Sequence, residues 1–67
     1  MTERSERRNQ LWTRADQINE LISAIVELRG GLPAGDDRWR GLIARQEGLI
    51  EESDRVLGEL YALYAGA

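Results

Sequence analysis

The chain has 67 residues, room for one small domain, and contains neither cysteine nor histidine. Disulfides, thiolate zinc sites and imidazole ligands are therefore excluded together. Its 9 basic and 12 acidic residues leave a net charge of −3, the wrong sign for a general binder of nucleic-acid phosphates.

A first amphipathic helix is predicted over about residues 3–29. Leu11, Ile18, Ile25 and Leu32 recur seven residues apart, with Leu21 and Leu28 between them, a heptad-like seam. Ala15 and Ile22 widen the stripe on one flank, Trp12 and Val26 on the other. So wide a stripe suits a helix touching more than one neighbour. Thr2 is a plausible N-cap, with Glu3 and Glu6 at the positive end of the dipole. Thr13 and Asp16 offer a second start, so the first two turns stay open.

A turn is predicted over 30–37. Gly30-Gly31-Leu32-Pro33-Ala34-Gly35 joins a helix-ending glycine signal to a proline, and Asp36 or Asp37 caps the next helix. About eight residues suffice to reverse the chain between antiparallel helices.

A second helix is predicted over about 37–65. Leu42, Leu49, Val56 and Leu63 form one row and Ile43, Ile50, Leu57 and Tyr64 another, with Trp39 and Leu60 between. Gly41, Gly48 and Gly58 oppose the helix, each by up to about 1 kcal/mol relative to alanine. Packing has to outweigh that cost, and close approach of another helix is one reason to keep them.

Folding about the turn sets residue i against roughly residue 67 − i. Arg14, Gln46 and Ser53 then interrupt an otherwise apolar ladder, Arg14 level with Ser53 and Gln46 opposite Leu21. A polar layer that fixes register and helix number is the favoured reading; contact with a ligand or partner is the alternative.

Catalysis has little to work with, since no lysine, histidine or cysteine is present. The densest acidic group is Glu47, Glu51, Glu52 and Asp54, of which Glu47 and Glu51 share a helical face. A carboxylate-bound Mg²⁺ on an all-α scaffold is conceivable, but a solvated acidic face accounts for the same residues. Trp39-Arg40-Gly41 resembles the Trp-x-Gly turn of the small type VII-secreted helical hairpins. Those chains are longer, and Tyr61 and Tyr64 lack the acidic residue of their secretion signal. Trp39 is therefore read as an anchor packing the turn against Leu28. Arg4, Arg7, Arg8 and Arg14 are read as charge compensation beside the end of the second helix, with an arginine arm for nucleic acid as the alternative.

No stretch approaches the roughly 18 apolar residues of a membrane span, and residues 1–8 lead into no hydrophobic signal region. A cytoplasmic protein is expected. The absence of Lys and Phe, whose codons are AT-rich, points to a GC-rich bacterial or viral genome.

The sequence thus predicts an all-α antiparallel hairpin that dimerises into a four-helix bundle or joins a larger assembly. Without disulfide or metal, association is the leading way for so short a chain to complete a core. The expected function is non-catalytic: an adaptor, regulator or structural subunit acting through helix packing, without cofactor or metal. Its partners are itself or a larger protein, with nucleic acid disfavoured. The interface and register candidates are Leu11, Trp12, Arg14, Ile18, Leu21, Ile25, Trp39, Gln46, Ser53, Tyr61 and Tyr64. A carboxylate-based metal or nucleotide enzyme, or an arginine-arm regulator, is the competing reading.

Overall fold

The chain folds back on itself once, because each helix has a largely apolar seam that another helix can cover. A computed structural model describes residues 3–66. It consists of α1, Glu3–Gly30, and α2, Asp37–Ala65, packed against each other. Thr2, the expected N-cap of α1, lies outside the described residues. Glu3 and Glu6 occupy its first turn, where carboxylates meet the positive end of the dipole.

α1 ends through two short 3₁₀-type bonds, from the Gly31 N–H to the Leu28 carbonyl at 3.3 Å and from the Leu32 N–H to the Arg29 carbonyl at 3.1 Å. The left-handed glycine comes later. Gly35 has φ +89°, and the Asp36 N–H donates to the Pro33 carbonyl at 3.1 Å. A positive φ at the third residue is what a type II turn requires, and glycine adopts it without steric cost. Asp36 then caps α2. With extended backbone, it accepts the Arg38 N–H on Oδ1 at 2.8 Å, while its carbonyl accepts the Arg40 N–H.

The core is a single ladder. Leu11, Ala15, Ile18 and Ile25 of α1 are buried against Leu49, Val56 and Leu60 of α2, with Ile22, Leu42 and Leu63 packed around them. Ile18 is fully enclosed. On α1 the steps 11, 15, 18, 22, 25 alternate four and three residues; on α2 the row 39, 42, 46, 49, 53, 56, 60, 63 does the same. These are the a and d positions of a heptad coiled coil.

Among the described residues two ion pairs cross between the helices in one register, Arg7–Glu59 and Arg14–Glu52. The arginines are seven residues apart and so are the glutamates, so the same rung repeats after one heptad. All four side chains take the flanking g position, beside the seam.

Ladder geometry changes several sequence expectations. Arg14 stands next to the apolar seam rather than in it; its partner is Glu52, not Ser53. Leu21 and Leu28, expected between the seam residues, share the g flank and are exposed. Leu28 is 62% accessible and Trp39 is half-buried. Gln46 and Ser53 do occupy the seam, both half-buried, and the Gln46 Oε1 is shielded from solvent without a hydrogen-bond donor among the described residues. On α2 the second row of the seam is Trp39, Gln46, Ser53 and Leu60, of which Leu60 is buried, while Ile50, Leu57 and Tyr64 are exposed.

Among the described residues no helix is long and apolar enough to cross a membrane.

Candidate functional site

With the seam assigned, the two remaining flanks of the hairpin are chemically unlike. In an antiparallel pair the g positions of both helices share one side and the e positions the other. Here the g side carries Arg7, Arg14, Arg38, Arg45, Glu52 and Glu59, with Leu21 and Leu28. The e side carries Ser5, Trp12, Asn19 and Val26 from α1 and Ile43, Ile50, Leu57 and Tyr64 from α2.

Of these, Trp12, Val26, Ile50, Leu57 and Tyr64 are exposed large hydrophobics, and Tyr61, 76% accessible, adjoins them on the next row. Five such side chains share one flank of the two helices and form an apolar strip with Asn19 at its middle. Isolated surface leucines call for no explanation, but a strip running the length of a molecule does.

The open end of the strip is held in place by polar contacts. The Trp12 Nε1–H donates to the Tyr64 hydroxyl at 3.1 Å, and the Arg8 guanidinium lies 5.8 Å from the centroid of the Tyr64 ring, within cation–π range. Tyr64 therefore presents a ring whose hydroxyl and one face are already engaged. Trp12 and Tyr64 come from distant levels of the ladder and meet because side chains lean toward their own helix N-terminus. In an antiparallel pair these two lean toward one another.

The arginine cluster is turned onto α2. Arg7 pairs with Glu59. Arg14 donates Nε–H to Glu52 Oε1 at 2.7 Å and Nη1–H to Gln17 Oε1 at 3.5 Å. Arg4 Nη2 lies 3.0 Å from the position a Gly66 Cβ would take, beside the negative end of the α2 dipole. A further ion pair is local, Arg38 with Asp36 at 3.3 Å. The hydrogen bonds from the Arg38 side chain, and then from its backbone N–H, hold the Asp36 carboxyl below the usual carboxylate range.

Glu47, Glu51, Glu52 and Asp54 are distributed around α2, and Glu52 is committed to Arg14. No group of three or more His, Cys, Asp or Glu side chains among the described residues is arranged to hold a metal ion. Gly41 and Gly48 line an open groove on the g side with Ala44, Arg45, Arg14 and Glu52. A Cβ on either glycine, or on Gly58, would meet nothing within 4 Å, so close packing inside the hairpin is not why they are there.

The candidates named from sequence thus separate. Leu11, Ile18 and Ile25 are internal, Trp39, Gln46 and Ser53 lie along the seam, Arg14 and Leu21 are on the charged flank, and Trp12, Tyr61 and Tyr64 are on or beside the apolar strip. Val26, Ile50 and Leu57 were missing from that set. Their signal was present in the sequence, Val26 beside Trp12 on the flank of the first stripe and Ile50 and Leu57 in the second apolar row of α2. Comparison of the chain with protein-family models, curated proteins and solved structures finds no match.

Proposed function

We propose that this chain is a non-catalytic helix-packing module that acts by burying its exposed apolar flank against further helices, completing a four-helix bundle with another copy or with a larger protein. The observation that carries this reading is the strip Trp12, Val26, Ile50, Leu57 and Tyr64. Magnitudes support it. A compact monomer of 7.6 kDa exposes about 4,300 Å², whereas this chain exposes 5001 Å². Its radius of gyration is 15.3 Å, against about 11 Å for a compact domain of this length.

An adaptor, regulator or structural subunit in the cytoplasm fits such a surface. An arginine arm for nucleic acid is disfavoured, because Arg7, Arg8 and Arg14 are engaged by α2 side chains. The test is purification of the tagged chain from its source at two salt concentrations. Recovery of itself or of one protein at both concentrations is the expected outcome. Salt-labile nucleic acid would replace this reading with the arm, and a melting temperature raised by Mg²⁺ or Mn²⁺ would replace it with a carboxylate metal site.

A further inference from the structure

We infer that the occupant of the apolar flank is a second copy of this chain, laid face to face across a twofold axis that passes between Asn19 and Ile50, with the two turns at opposite ends. This rests on the helix-packing reading above and names its partner. The first support is size. In the plane of its two helices the hairpin measures 48 × 16 Å between Cα atoms, a footprint close to the roughly 800 Å² that each partner buries in a standard interface. The excess accessible surface, about 700 Å² over a compact monomer of the same mass, is of the same size. Covering this one face with an equal face removes the excess from both copies.

The second support is the polar residue midway along the strip. Asn19 sits midway between Trp12 and Val26, and the register set by Arg7–Glu59 and Arg14–Glu52 places it beside Ile50. Two hairpins can meet face to face with their turns at the same end or at opposite ends. Turns at the same end set Asn19 against Ile50 of the second copy, and the amide is buried without a partner. Turns at opposite ends set Asn19 against Asn19 of the second copy. An amide both donates and accepts, so it satisfies its own image. The same arrangement opposes Trp12 to Val26 and Ile43 to Leu57 of the second copy, a large residue against a small one at the first contact.

The test uses the full chain in sedimentation equilibrium and circular dichroism, from micromolar to millimolar concentration, on the wild type, Ile50→Glu and Leu28→Glu. Both altered side chains are exposed in the hairpin and neither belongs to its core. The wild type is expected to be a dimer, Ile50→Glu to raise the dissociation constant about 100-fold or more, and Leu28→Glu to leave it unchanged. In a chain without cysteine, Asn19→Cys should oxidise to a covalent dimer. Cross-linking only when Asn19→Cys is mixed with Ile50→Cys overturns the opposite-end arrangement. A dimer weakened by Leu28→Glu but not by Ile50→Glu overturns the choice of face. A monomer that melts without cooperativity at every concentration overturns the second copy alone. A monomer that melts cooperatively, complete by itself, overturns the helix-packing reading as well.

Discussion

Arg14 of α1 closes on Glu52 of α2 one heptad along from Arg7 on Glu59, so that two ion pairs on one flank define the register of the whole hairpin. Both pairs are partly exposed, with side-chain accessibilities of 42% and 31% at Arg14 and Glu52. Solvent screening leaves such a pair weak, so the two pairs mark the side on which the helices' charged flanks meet more than they stabilise it.

That weakness is measurable. Arg14→Gln should cost about 0.5 kcal/mol and no more than about 1. A double-mutant cycle with Glu52→Gln, followed by chemical denaturation, should return a coupling of that size that shrinks in high salt. Exchanging the two residues, Arg14→Glu with Glu52→Arg, should restore it.

The core is thin, so its central residue is critical. Ile18 is fully enclosed, and Ile18→Ala should cost about 2–5 kcal/mol, enough to abolish the cooperative melt of a domain this small. Leu28→Ala, at a largely exposed site, should change stability by less than about 0.5 kcal/mol. Thermal melts followed at the helical dichroism band distinguish the two.

Glycine substitutions should have opposite signs at different sites. Gly35→Ala forces a side chain into the left-handed region at φ +89° and should cost about 1–2 kcal/mol. Gly48→Ala adds a methyl group where nothing lies within 4 Å and should stabilise α2 by about 0.5–1 kcal/mol. A Gly48→Ala chain that melts lower would mean a second molecule packs closely on the charged flank.

Acid should loosen the start of α2. Hydrogen bonds from Arg38 depress the Asp36 carboxyl, so the folded chain takes up this proton less readily than the unfolded chain. The cap's stabilisation is therefore complete above the unfolded carboxylate's pKa and is lost as pH falls through the lower, folded value. Asp36→Asn keeps a capping side chain and should remove this part of the pH dependence, read from the amide resonances of Arg38 and Trp39. Asp36→Ala should lower the melting temperature by several degrees at neutral pH.

Two helices, the reversal between them and the broad apolar stripes were legible in the sequence, because helical period, glycine–proline punctuation and an aspartate cap are local signals. Leu11, Ile18 and Ile25 were legible as core for the same reason. Each belongs to both of the ladders that α1 offers, one through Arg14 and Leu21, the other through Ala15 and Ile22. Choosing between those ladders required the second helix. A single partner covers two rows and leaves a third exposed. On α2 it covered the row holding Gln46 and Ser53 and left the more apolar row of Ile50 and Leu57 outside.

Charge accounts for that choice. A seam through Arg14 would bury an unpaired guanidinium, whereas the flank position gives it Glu52 and gives Arg7 Glu59. Setting these four residues on one side turns Trp12, Val26, Ile50 and Leu57 to the other. The sequence by itself determined two amphipathic helices with more apolar surface than a hairpin consumes. Only the tertiary structure decided which surface is left over, because helical period is a property of one chain segment, while the pairing of opposite charges across a ladder depends on both.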